Sequence, residues 1–157
     1  MLTHVHQSGS LELIGGTEIL AQNDWGAEVE LDFANLSQPS GEVLNLALSM
    51  SSPGATGDFF IPSGKLAVFR SDPNISVGDA DLTTGVHGEA IAILDVVAGD
   101  WYSDALGSIQ LLTIPVAFPN LDKLFLAFFN TDTTSINSAT GDNEVMEVNA
   151  LFRVDDR

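Results

Sequence analysis

His4 and His6, one residue apart in "HVH", fall on one face of an extended segment, a spacing that two imidazoles can use to hold a metal ion. No third ligand can be named beside them, and a polar terminal segment has the same composition. "GDADLTTG" (78–85) opens like a calcium loop, but the closing glutamate and flanking helices of an EF-hand are absent. No metal site is therefore expected: the loop reads as a solvated turn, with Asp79 and Asp81 as its weak metal candidates. "HGE" (87–89) matches the H-x-E fragment of zinc deaminases, whose site also needs cysteines; this chain has none.

The remaining chemistry thins out quickly. There is no thiol nucleophile and no disulfide framework. No G-x-S-x-G elbow, P-loop or G-x-G-x-x-G occurs, and carboxylate pairs are too common in so acidic a chain to signal a glycosidase. Trp25, Trp101 and Tyr102 could stack on sugar rings, or could anchor loops on the end of a β-sandwich. The expectation is a non-enzymatic protein with no catalytic residues and no cofactor.

Charge narrows the partners. Five basic residues face 22 acidic ones, a net charge of -17. Lys65, Arg70, Lys123, Arg153 and Arg157 are too few and scattered to neutralise a phosphate backbone or an anionic bilayer, so neither nucleic acid nor membrane is expected. "MLTHVHQSGS" has no basic and then apolar run of the signal-peptide kind, so synthesis in the cytoplasm without a signal peptide is expected.

The elements that must position these groups repeat with a period of two. "AEVELDF" (27–33) alternates Val29, Leu31 and Phe33 against Glu28, Glu30 and Asp32. "VLNLALSM" (43–50) sets Leu44, Leu46, Leu48 and Met50 on one face. "EVMEVNALFRV" (144–154) sets Met146, Val148, Ala150, Phe152 and Val154 opposite Glu147, Asn149 and Arg153. Further strands are expected at 11–14, 65–70, 90–97, 108–114 and 123–130, separated by loops rich in Gly, Ser, Thr, Asp and Pro. Eight short strands and no amphipathic helix predict an all-β, antiparallel β-sandwich, jelly-roll-like or immunoglobulin-like. A single domain over 11–157 with a flexible N-terminal arm at 1–10 is expected.

Three stretches carry more apolar side chain than a lone sandwich obviously needs. "KLFLAFFN" (123–130) is apolar on both faces: Leu124, Leu126 and Phe128 on one, Phe125, Ala127 and Phe129 on the other. "DFFIP" (58–62) places Phe59, Phe60 and Ile61 in a loop context, and "IPVAFPN" (114–120) frames Val116 and Phe118 with prolines. Either the chain covers this surface itself or another copy does. The candidate protomer interface is Phe59, Phe60 and Ile61 with Leu124, Leu126 and Phe128.

The run "LTIPVAFPNLDKLFLAFFNTDTTSINSATGDNEVMEVNALF" (112–152) resembles the C-terminal part of small β-sandwich head decoration (cement) proteins of tailed bacteriophages. It shares their apolar-proline segment, proline turn, strand ending in Asn, Gly-Asp loop and last alternating strand. "KLAVFRSDPN", "GDADLTTG" and "AIAILDVVAG" resemble their middle strands and insertion loop, so the likeness spans roughly 43–152. The resemblance implies a virion protein on the capsid surface, a homotrimer that binds the major capsid protein and stabilises the head. In such a protein, residues Met1, Leu2, Thr3, His4, Val5 and His6 are the candidate shell contact. A neck or tail component is a related alternative. A carbohydrate-binding or adhesin-like module, using Trp101 and Tyr102 with calcium at Asp79 and Asp81, is the alternative from another class.

Overall fold

The computed structural model describes residues 3–16, 18–35, 40–50, 61–78, 90–105, 107–113, 116–138 and 144–155, and among these described residues there are twelve strands. In chain order they are β1 (Thr3–Ile14), β2 (Ile19–Leu20), β3 (Val29–Asp32), β4 (Gly41–Met50), β5 (Gly64–Phe69) and β6 (Ala90–Val96). They continue as β7 (Tyr102–Ser103), β8 (Ser108–Leu112), β9 (Val116–Phe118), β10 (Lys123–Asn130), β11 (Ile136–Asn137) and β12 (Met146–Asp155). All eight expected strands are present. Phe59, Phe60, Asp79, Asp81, Met1 and Leu2 lie outside the described residues.

Four antiparallel pairs are nested along the sequence: β1 with β12, β3 with β10, β4 with β8 and β9, and β5 with β6. The first and third pairs join in one sheet, ordered β1-β12-β4-β8-β7 with β9 also on β4. The second and fourth join in a second sheet, ordered β3-β10-β5-β6, and β11 pairs with β2 in a separate two-stranded sheet. A long hairpin rolled up on itself, its turns alternating between two sheets, has this order. The fold is therefore a jelly roll, and the immunoglobulin alternative is set aside by strand order.

Alternation explains which side chains fill the space between the sheets. Met146, Val148, Ala150, Phe152 and Val154 of β12 are buried, as are Leu31 and Phe33 at the end of β3. On β4 the inward set is Val43, Leu46, Leu48 and Met50, whereas Leu44, which strict alternation places with the last three, is only half-buried. The reason is a one-residue register shift between the Leu151↔Asn45 and Phe152↔Val43 pairs, which reverses the facing of the strand's first residues. β8 and β9 each pair with β4. Phe118 is fully buried, with its ring stacked on Phe33 at 4.1 Å and 4°. The apolar surplus of "IPVAFPN" thus reaches the core through Val116 and Phe118.

β10 settles what covers a strand that is apolar on both faces. It is central, between β3 and β5. Leu124, Leu126 and Phe128 point into the core with at most 1% exposure, so they are not available as a protomer interface, and that expectation is corrected. Opposite them, Ala127 and Phe129 join Ala67, Phe69, Trp25 and Ile75 in a second apolar cluster outside the sheet. The cover is the chain's own: residues 23–26 pair with the end of β10 through Asn23 N–H to Asn130 O (2.7 Å) and Gly26 N–H to Phe128 O (2.8 Å). Gly78 N–H then donates to Trp25 O at 2.9 Å, bringing the segment after β5 to the same place.

The N-terminal arm is also corrected. Residues 3–10 belong to β1 and pair with β12 from Thr3↔Asp155 inward. Backbone pairing and the stacking of His6 on Phe152 (5.5 Å, 18°) hold this segment. A register shift between Gln7 and Ser10 coincides with Gly9, whose φ of 75° suits a residue without Cβ. There Ser8 Oγ accepts a hydrogen bond from Ala150 N–H at 2.9 Å.

Candidate functional site: an uncharged sheet face

Because β1, β12, β4 and β8 pair in known register, the side chains on the outside of their sheet form a grid of four rows. Across the strands, the rows run Glu12–Glu147–Ser49–Ile109–Tyr102, then Ser10–Asn149–Ala47–Leu111, then Gln7–Leu151–Asn45, then Val5–Arg153–Glu42–Ala117. Partner residues of an antiparallel pair share a face, which makes the grid a direct consequence of register.

The two middle rows carry no charge. The charges stand at the ends: Glu12 and Glu147 at one corner, and at the other end Arg153, whose Nη2 donates to Glu42 Oε2 at 2.8 Å. Apolar side chains stand out of this face instead of in: Leu111 is 64% exposed, Ile109 41%, Val5 59% and Tyr102 75%. Between them the small residues Ala47, Ser49 and Ser10, with Asn45, Asn149 and Leu151, line a shallow depression of ≈ 340 Å³.

The sheet behind this face is stiffly tied. Gln110, buried on the inner side of β8, donates from Nε2 to Val97 O at 2.7 Å, and its Oε1 accepts from Val97 N–H at 3.2 Å. One side-chain amide therefore acts like a backbone partner for the end of β6 and links the two sheets at that edge.

Trp101 and Tyr102 do not make a platform. Adjacent positions on an extended chain face opposite ways: Trp101 is 9% exposed and its Nε1–H donates to Pro62 O at 2.9 Å, while Tyr102 stands in solvent. Trp25 is buried over Phe129, with ring centroids 5.1 Å apart. All three tryptophan and tyrosine side chains are thus separated, which corrects the sugar-stacking arrangement. His4 and His6 share a face, with centroids 6.3 Å apart. Among the described residues, no group of three His, Cys, Asp or Glu side chains is placed to hold a metal ion.

Electrostatics is most perturbed away from this face. Glu28 is half-buried, and its Oε2 accepts from Ile75 N–H at 2.8 Å. Burial pushes its carboxyl above the ordinary value, and the neighbouring Asp72 carboxyl pushes it further by hydrogen bonding and charge, against the opposing pull of the Ile75 N–H.

Of the expected interface residues, the structure leaves Ile61 partly open, on the approach to β5. Thr3, His4, Val5 and His6 are together on the edge strand of the larger sheet. Leu111 and Ile109 were not singled out from sequence. The signal was present in "SIQLL": apolar residues at 109, 111 and 112 cannot all face one side of a strand.

No family model matches the sequence, and no curated protein matches it. Among solved structures, a chain of turnip yellow mosaic virus is similar over 98% of this chain and 80% of its own, at 14% identity and a TM-score of 0.37. That score is too low to carry an argument.

Proposed function

We propose that the chain is a non-enzymatic virion structural protein, a capsid decoration subunit that binds the outside of a phage head as a homotrimer and stabilises it. The observation that carries this reading is the uncharged outer face of the β1-β12-β4-β8 sheet. On a chain of net charge -17, carboxylates spread over the surface keep copies apart. A sheet face free of charge through its middle, with Leu111 and Ile109 standing out of it, is the kind of surface that subunit contact uses.

The resemblance of residues 43–152 to phage decoration proteins supports the same reading, including its proposed place on the head. Its strand "ending in Asn" has a physical role here. Asn130 is fully buried, and its Nδ2 donates to Leu20 O at 3.0 Å and Thr134 O at 3.1 Å while its Oδ1 accepts from Asp132 N–H at 2.9 Å. That side chain ties β2 and the turn after β10 to the end of β10. The fold itself supplies no function, since jelly rolls serve capsids, lectins and cupins alike.

Decoration would work by bridging: each subunit bound across capsid proteins adds contacts that must break before they separate. The N-terminal residues 1–6, of which Thr3–His6 lie on the sheet edge, are the proposed contact with the major capsid protein. Immunogold labelling of particles of the virus that encodes the chain tests the reading. Gold over the head surface is expected. Gold confined to neck or tail would move the protein to that part of the virion, and particles without label would overturn a virion role.

A further inference from the structure

We infer that the major capsid protein meets this chain by strand addition at the free edge of β1. An extended segment of it pairs along Thr3–Gln7 and sets one apolar side chain in the cleft beside that edge. This gives the contact proposed at the N-terminal residues its mode, and it rests on the proposed virion role.

Backbone chemistry defines the occupant. β1 ends its sheet, and among the described residues no strand pairs with its other side. Thr3 to Gln7 face Asp155 to Leu151 in five consecutive antiparallel pairs. In such a ladder alternate residues turn both N–H and C=O away from the paired strand. A row of outward donors and acceptors at strand spacing is matched by another extended backbone, as in peptide recognition at sheet edges.

Charge selects this edge. The chain has 22 acidic residues, and the first of them is Glu12. The other edges are charged or short. β3 carries Glu30 and Asp32, and β6 carries Asp95. β7 is two residues long, flanked by Asp100 and Asp104, and β9 is three residues between Pro115 and Pro119. β2 and β11 have two residues each. Charges, prolines and short length are what keep strands from adding to an edge, and β1 has none of these from Thr3 to Leu11. A different protein fits this edge better than a second copy, because two chains of net charge -17 repel.

A cleft next to the edge supplies specificity. Beyond Gln7 the register shifts at Gly9, and a space of ≈ 240 Å³ opens between β1 and β3, the edges of the two sheets. Leu11, Leu31 and Phe152 floor it, with Gln7 and Ser8 on one lip and Glu30 on the other. Leu31 and Phe152 are core residues, so the floor is the edge of the core itself. A strand that extends the sheet past β1 turns alternate side chains toward the inner side, where this cleft lies. Backbone pairing then holds the segment, and the cleft selects an apolar side chain in it.

The test is a cryo-electron microscopy map of particles of the virus that encodes the chain, detailed enough to separate strands. The expected map has a strand of the major capsid protein about 4.8 Å from β1, beside Thr3–Gln7, with a side chain in the cleft. A chain present in the particle with this edge bare would overturn strand addition while leaving the virion role in place. A second copy on the edge would overturn the assignment of the occupant. Particles without the chain would overturn both. Gln7→Lys, at an exposed position of the edge, adds the kind of charge that guards strand edges. It is expected to lower the copies of the chain per particle by about tenfold or more. Ile19→Lys, which adds the same charge at an exposed position off the edge, is expected to leave the number unchanged. Full occupancy by a Gln7→Lys chain would overturn the proposal. Should that variant melt early, the wild-type map alone decides.

Discussion

The indole of Trp25 meets the ring of Phe129 edge-on, with centroids 5.1 Å apart and planes at 64°, and so closes the outer side of a strand whose inner side is already in the core. This single contact explains how β10 is apolar on both faces without needing a partner molecule. The segment that carries Trp25 is fixed to β10 by backbone hydrogen bonds, so the cover belongs to the fold itself. The uncharged face proposed for subunit contact lies on the other sheet.

Removing that cover should unfold the small sheet's outer cluster before anything else. Trp25→Ala is expected to cost about 3–5 kcal/mol, as large-to-small aromatic changes in cores do. Chemical denaturation checks the loss, and dye binding to newly exposed Phe69 and Phe129 should rise in the native baseline. A change below about 1 kcal/mol would mean that Trp25 is not the cover.

The Gln110–Val97 tie gives a second expectation. Gln110→Ala leaves the N–H and C=O of Val97 without this partner and should cost about 1–3 kcal/mol. Gln110→Glu keeps the acceptor but turns a carboxylate oxygen toward Val97 O, so it should destabilise at least as much at neutral pH and recover partly in acid. Equal stability of the glutamate variant and wild type at pH 7 would contradict the bidentate geometry.

Glu28 makes stability depend on pH in a direction opposite to a salt-bridged acid. Its folded pKa is raised, chiefly by burial and then by Asp72, so the folded chain holds this proton more tightly than the unfolded chain. The stabilising contribution is complete below the ordinary carboxylate range, about pH 4, and is lost as pH rises through the raised value. Glu28→Gln should therefore melt higher than wild type at pH 7, with the gap closing near pH 4. A gap that is constant across this range would mean that Glu28 is not the titrating group.

Much of the fold was legible because alternation is a local signal. The β12 residues Met146 to Val154 were placed on the correct faces from period alone, and eight strand positions sufficed for the sandwich class. Strand order was not legible, since nothing in "AEVELDF" says that it pairs beside "KLFLAFF". Leu44 was misplaced because a bulge depends on the partner strand. Residues 3–10 were read as an arm because "HVHQSGS" has no apolar alternation; the strand forms through pairing with β12 and the His6–Phe152 stack. The candidate face is not legible in the sequence for a related reason. It is made of ordinary Ser, Asn, Ala and Leu residues from four distant segments, and only register brings their uncharged positions side by side.

The most direct measurement is the solution mass of the wild-type chain, by light scattering after size exclusion, in moderate and in high salt. The account predicts a mass near 50 kDa, about three times the 16.6 kDa of one chain, better populated in high salt. A mass of one chain under both conditions, at every concentration tried, would contradict it.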